Sequence, residues 1–296
     1  MIKDLNSSAQ QLTNQGLDLA EAHRLLLRAI FANYLQTRGW LSEEFLRENF
    51  GVVQFNEALS DPGVAHHVFA WLAATFNGDV FPTRTNVKYT AEQLAELRFL
   101  LQGGDPKSRQ RYLWPYEFDV IPVELLSSIY ESFSHAIDRR AAEARSTHYT
   151  PINLVELTLN EVFDDELFGQ PLPPDAKVAD FACGSGVFLV QALRRLVSRR
   201  VAAGEKLTRK LIRDTLYNQI FGVDVLGGAV HVAAVSLYLA ALELDPRPGI
   251  GNGVKFWPLI YPRDDEEAQR ARPHFNLFED DAFDPDAAFR RDATGL

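Results

Sequence analysis

Val178-Ala179-Asp180-Phe181-Ala182-Cys183-Gly184-Ser185-Gly186-Val187-Phe188-Leu189 reads as a strand, a glycine turn and the first turn of a helix. Residues 177–182 alternate too little for a half-buried strand, so a parallel strand covered on both faces is expected. Gly184 and Gly186 permit a sharp turn and leave no Cβ in the way of a ligand. Helical spacing then begins with Val187, Leu189, Val190, Ala192, Leu193, Leu196 and Val197. This is the strand–turn–helix unit of nucleotide-binding α/β folds, whose ligand lies outside the carboxyl end of the strand.

Two departures from the dinucleotide pattern narrow the ligand. The third glycine of G-x-G-x-x-G is Leu189 here. Asp180 sits at the strand end, four residues before Gly184, where a carboxylate repels a pyrophosphate and attracts a cation. A ligand with an ammonium and a sulfonium, such as S-adenosylmethionine, suits that charge. Cys183 is the only cysteine, which excludes an intrachain disulfide and a cysteine-rich zinc site. It reads as a small residue filling a tight space. No metal site is expected.

Composition sets the wider bounds. The 296 residues suffice for one large or two ordinary domains, and 46% hydrophobic with 24% charged residues is ordinary globular usage. The net charge is −10, divided as −4 over residues 1–145 and −6 over residues 146–296. Neither part has the basic footprint of a duplex-DNA binder. Met1 to Gln11 is polar and lacks the apolar run of a signal peptide. The most apolar helix, expected over Ala229 to Leu244, is short for a bilayer and contains His231 and Ser236. A cytoplasmic protein with no membrane contact is expected.

Residues 1–145 read as helical. Leu19, Ala22, Leu26, Ile30 and Tyr34 recur at helical spacing up to Gly39. Asp61-Pro62 opens a second helix, Thr90-x-x-Gln93 is a capping box for a third, and Gly103 to Pro106 is a break. A long helix is expected from Pro122 to about Glu143. Lys107, Arg109 and Arg111, near Tyr112, Trp114 and Tyr116, form a basic and aromatic cluster that either touches nucleic acid or is plain surface and core.

The character changes at Arg145. Ser146 to Pro151 is polar, with Thr150 placed to cap a helix and Pro151 at its first position. The free N–H groups of such a helix start can hold a carboxylate. Gln170 to Asp175 is a linker. A second strand is expected over Gln219 to Val223, ending in Asp224, where an acid binds ribose hydroxyls in Rossmann-like sites. A helix over about Leu207 to Leu216 separates it from the glycine turn. Phe275 to Phe278 reads as a third strand, followed by Glu279, Asp280, Asp281, Ala282 and Phe283.

Taken together, these segments resemble adenine-specific DNA methyltransferases of the large restriction–modification class, the Eco57I-like or type IIG-like group. The matching segments are Leu25 to Phe31, Phe118 to Leu126, His148-Tyr149-Thr150-Pro151, Ala179 to Gly186 and Phe221-Gly222-Val223-Asp224. The resemblance implies an α/β fold: an N-terminal helical domain over 1–145, then a partial Rossmann-like class I methyltransferase domain over 146–296, truncated before the fourth strand. It implies S-adenosylmethionine as cofactor. Tyr149, Thr150 and Pro151 would line its methionine end, and Asp180, Ala182, Gly184 and Gly186 would form the floor. Asp224 would take the ribose hydroxyls, and Asp281, with Ala282 and Phe283, would approach the adenine. Asp280 is the alternative for that last role.

The family's catalytic tetrapeptide, Asn/Asp/Ser-Pro-Pro-aromatic, is absent from the sequence. No catalytic residue is therefore assigned. The chain is expected to be the cofactor-binding N-terminal part of a longer enzyme that binds DNA and flips its target base. It is expected to bind cofactor and to transfer no methyl group by itself. An unpaired edge on the first strand would be an association hazard, met by a second copy or by the tail Asp284 to Leu296. Two other functions compete: a non-catalytic interaction module with a vestigial nucleotide fold, and a nucleotide-dependent oxidoreductase, which Leu189 and Asp180 disfavour.

Overall fold

A computed structural model of the chain describes residues 2–76, 88–112, 150–163, 172–246, 255–270 and 275–292. These fall into two compact units, residues 2–112 with 255–256, and residues 150–246 with 257–292. The expected boundary at 145 and the expected helix from Pro122 lie outside the described residues.

The first unit is helical among its described residues: α1 (Ile2–Asn14), α2 (Leu19–Thr37), α3 (Glu43–Phe50), α4 (Phe55–Ala58), α5 (Pro62–Thr75) and α6 (Ala91–Leu101). Local chemistry sets the helix starts. Asp18 accepts the Glu21 N–H at 2.8 Å, and Asp61 accepts the Gly63 N–H at 2.7 Å with Pro62 in the first turn. Thr90 and Gln93 form the expected capping box. α2 is buried along most of its length, so its charges need partners inside the unit. The Tyr89 hydroxyl donates to Glu21 Oε1 at 2.5 Å and accepts from Arg28 Nη1 at 2.5 Å, while Arg24 pairs with Glu21 at 2.8 Å.

The basic cluster after α6 is engaged within this unit. Arg109 pairs with the buried Glu96 at 2.5 Å and lies over the Phe99 ring at 4.3 Å. Arg111 donates to Gln102 at 3.2 Å, and the Tyr112 hydroxyl donates to Asp4 at 3.1 Å. Trp114 and Tyr116 lie outside the described residues.

His23 on α2 is buried, and burial pushes its pKa down from 6.5 to about 4. The folded chain therefore holds it neutral while the unfolded chain protonates it near its ordinary value. The stabilisation is fully present above about pH 6.5 and is lost as pH falls towards about 4, by about 3 kcal/mol at most. Urea unfolding at pH 7 and pH 4.5 checks this. His23→Gln should flatten the slope, and an unchanged slope would refute the assignment.

The second unit contains α7 (Ile152–Phe163), β1 (Val178–Asp180), α8 (Val187–Ala202), α9 (Arg209–Gln219), β2 (Ile220–Asp224), α10 (Gly227–Leu244), α11 (Glu266–Arg270), β3 (Leu277–Glu279) and α12 (Ala288–Asp292). The strands form one parallel sheet in the order β1-β2-β3. Val178 pairs with Ile220 and Asp180 with Gly222, and Asp224 pairs with Glu279. This helix-rich α/β arrangement fits the expected class I methyltransferase-like fold.

Several details differ from the sequence reading. β1 is half-buried rather than covered on both faces, and among the described residues it stands at the sheet edge while β2 takes the centre. β2 starts at Ile220, and α9 runs directly into it, whereas the sequence placed a gap there. The buried Asn276 side chain bridges that junction, donating to the Leu216, Tyr217 and Ile220 carbonyls. Pro151 stands at the cap position of α7, one residue later than expected, its carbonyl accepting the Leu154 and Val155 N–H groups at 2.9 and 3.2 Å. α10 begins at Gly227, which brings it to 18 residues, long and apolar enough to cross a membrane. Two thirds of it, 67%, is buried inside the unit, as a core helix requires. The described part of the tail packs through Ala287 and Phe289 on Val223 and Phe278 of the sheet and on Phe275, and the Phe289 ring lies 5.8 Å from that of Phe181, directly after β1.

Candidate functional site

The carboxyl ends of the three strands carry the candidate site. Asp180 ends β1, and its Oδ1 accepts the Ala182 N–H at 3.0 Å. The turn then crosses to β2: the Cys183 N–H donates to the Val223 carbonyl at 3.0 Å, and the Gly184 N–H donates to Asp224 Oδ2 at 2.9 Å. The other oxygen of Asp224 accepts the Leu226 N–H at 2.9 Å. Ser236, on α10, donates its hydroxyl to the Ser185 carbonyl at 3.1 Å. Asp224 thus clasps the turn as well as standing at the strand end, a role that its position in the sequence does not signal. In sequence Ser236 is no more than a polar interruption of an apolar helix.

The two glycines differ in purpose. Gly184 has φ 52°, and a Cβ there would meet nothing within 4 Å. Gly186 has φ 83°, and a Cβ there would come within 3.0 Å of the Ala233 Cα and Cβ. The first therefore faces open space above the turn, and the second is required for α8 to approach α10. Gly222 does the same beneath the turn, where a Cβ would lie 2.7 Å from Leu189 and 3.1 Å from the Cys183 sulfur. Cys183 is buried in that contact, as a space-filling residue would be. Burial pushes its thiol pKa up, with Asp180 and Asp224 adding to the shift, which keeps it protonated and unreactive.

Electrostatics at the turn favour a cation. Burial pushes the Asp180 carboxyl above its ordinary pKa, the Ala182 N–H opposes this, and the Asp224 carboxylate raises it further. The two carboxylates are close enough to act on each other, and among the described residues no ion pair is formed by either. The main-chain N–H groups of Ala182, Cys183, Gly184 and Gly186 are taken within the turn and by Val223 and Asp224, so the turn offers acids rather than free donors, which suits a cation better than a phosphate.

Beyond β3, the two candidate acids separate. Asp280 is 8% exposed, accepts Arg263 Nη2 at 2.7 Å, and accepts the Ala288 N–H at 2.6 Å. It holds the α12 start and is committed to the fold. Asp281 is exposed and accepts the Phe283 N–H at 2.9 Å. The Ala282 carbonyl accepts from Arg290 at 2.8 Å, and Phe283 is 93% exposed, an unusual position for a large apolar ring. Thr150 and Pro151 directly precede α7. Tyr149 lies outside the described residues.

A parallel sheet, a glycine turn after its first strand and acids at the ends of two adjacent strands are compatible with an α/β fold of the methyltransferase kind. Residues 122–253 match the family described as N-6 DNA Methylase. Over that segment the resemblance to adenine-specific DNA methyltransferases is borne out. Two solved structures are similar to the chain. One is the ATP-dependent Type ISP restriction-modification enzyme LlaBIII bound to DNA, at 16% identity and TM-score 0.37, covering 80% of this chain and 17% of that one. The other is a DrdV–DNA complex, at 14% identity and TM-score 0.37, covering 94% of this chain and 29% of that one. The chain therefore spans less than a third of the length of either. No curated protein matches it.

Proposed function

We propose that this chain is the S-adenosylmethionine-binding part of a site-specific adenine N6 DNA methyltransferase, from a restriction–modification or related defence system. The observation that carries the reading is the open turn at Gly184, flanked by Asp180 and Asp224 and pinned by main-chain hydrogen bonds. When bound, S-adenosylmethionine supplies an electrophilic methyl group on a sulfonium sulfur. Ala182 and Gly186 would complete the floor around Asp180 and Gly184. Asp224 keeps acceptor capacity beyond its two main-chain donors and would take the ribose hydroxyls. Asp281, with Ala282 and Phe283, would meet the adenine, since Asp280 is held by Arg263 and Ala288. Tyr149, Thr150 and Pro151 would bound the methionine end. DNA would be the partner of the intact cytoplasmic enzyme, and the second edge of β1 would pair with another chain segment or a second copy.

Asp180→Asn tests the charge argument. The parent carboxyl is raised by burial and by Asp224, so its ionisation opposes folding, and stability falls as pH rises through its folded pKa. The amide removes that penalty. The variant should be more stable than the parent at pH 7, within the ~0.5–2 kcal/mol typical of a relieved functional site. It should bind S-adenosylmethionine at least about tenfold more weakly. The stability gap should close below about pH 3, where the parent is protonated in both states. Retained affinity in calorimetry would remove Asp180 from the site.

A further inference from the structure

We propose that Arg195 is a positioning residue for this site: its grip on α7 sets where Thr150 and Pro151 stand against the glycine turn. The proposal rests on the cofactor reading above. Arg195 Nη2 donates to Glu156 Oε2 at 2.5 Å and to Asn160 Oδ1 at 2.6 Å. One turn further along α8, Arg199 donates to the Phe163 carbonyl, and to the Leu172 carbonyl at 2.9 Å. Both guanidinium groups lie near the Phe163 ring, at 5.7 and 5.4 Å from its centre.

These contacts fix direction and register. Advancing along α8 from Arg195 to Arg199 advances the partner along α7 from Glu156 and Asn160 to Phe163, so the two helices run parallel. The residue separations are 39, 35 and 36. At the last of these, Val187 is level with Pro151. The N-terminus of α7 therefore stands beside the N-terminus of α8, where the glycine turn ends. The apolar packing of α7 leaves this placement underdetermined. Its buried residues, Val155, Leu159 and Phe163, form a single line at four-residue spacing, and Leu154 and Leu157 are exposed on the other side. A single line of knobs resists separation better than rotation or sliding. Arg195 supplies an off-line restraint, its Nη2 reaching two side chains one turn apart on α7.

The ion pair is half in water, with Arg195 20% and Glu156 45% exposed, so its effect on global stability is small. Its effect on geometry is separable from stability for that reason. The test uses the full chain as Arg195→Gln, Arg195→Lys and the reversed pair Glu156→Arg with Arg195→Glu. S-adenosylmethionine affinity is measured by calorimetry, with the unfolding midpoint and amide hydrogen exchange over Ile152 to Leu157. Arg195→Gln should weaken binding roughly tenfold. It should also speed exchange in the first turns of α7 and move the midpoint by less than about 2 °C. Arg195→Lys should fall between, and the reversed pair should recover most of the affinity. Parent-like affinity and exchange in Arg195→Gln would overturn the proposal, as would a loss of affinity matched by a loss of stability that the reversed pair does not recover. If the parent itself binds no S-adenosylmethionine, the cofactor reading fails instead. Exchange then judges the grip alone, and an unchanged rate in α7 overturns it.

Discussion

Asn276→Asp should unfold the α/β unit or bring it close to unfolding. Asn276 is 0% exposed, and its amide nitrogen lies 3.1, 3.2 and 2.7 Å from the carbonyl oxygens of Leu216, Tyr217 and Ile220. All three partners are acceptors, so only a donor fits. A carboxylate would set negative oxygens against three carbonyl dipoles in a site without water access, at a cost of about 3–5 kcal/mol. That is a large share of a typical domain's stability. The main chain at Asn276 adds to the consequence, since its carbonyl accepts the Gly222 N–H at 2.8 Å and its own N–H donates to Leu259 at 3.0 Å. The end of α9, the start of β2 and the approach to β3 would loosen together. Asn276→Ala should cost less, about 1–3 kcal/mol, because it removes the donor without adding a charge. The aspartate penalty should shrink at low pH, where the new carboxyl is neutral. Urea midpoints for the three proteins check this, and an aspartate variant as stable as the alanine variant would contradict it.

Gly184→Val should abolish cofactor binding while leaving a folded chain. Nothing lies within 4 Å of a Cβ at this position, so the side chain meets no protein atom. The φ of 52° is the left-handed region, where a β-branched residue costs about 1–2 kcal/mol. The added isopropyl group would occupy the open space above the turn. A loss of at least about 100-fold in affinity is expected, against a small change in the unfolding midpoint. Gly186→Ala should behave differently. Its φ of 83° and the 3.0 Å approach to Ala233 combine strain with overpacking, so stability should fall first and binding with it. Parent-like affinity in Gly184→Val would mean that the space above Gly184 has no part in binding.

What the sequence revealed was local. Asp180, Gly184 and Gly186 stand within seven residues of one another, and strand, turn and helix each leave a mark at that range. The capping box at Thr90 and the Asp61-Pro62 helix start were legible for the same reason. The misreadings involve partners far away in sequence. Nothing beside Asn276 shows that it joins α9 to β2, and nothing beside Asp224 shows that one of its oxygens takes the Gly184 N–H. For Arg109 and Arg111 the sequence leaves both a nucleic-acid contact and plain surface open, and Glu96, Phe99 and Gln102, distant or unmarked in sequence, favour the second. Asp280 and Asp281 were equivalent in sequence, and only the contacts to Arg263 and Ala288 separate them. β1 was read as covered on both faces because its apolar run does not reveal which strand takes the sheet's centre.

The cofactor assignment is tested most directly by calorimetric titration of the parent chain with S-adenosylmethionine, its demethylated product and NAD, beside Gly184→Val. Saturable one-to-one binding of the first two, none of NAD, and loss of all binding in the variant is the predicted result. Binding of NAD, or equal binding of S-adenosylmethionine by parent and variant, would contradict the account.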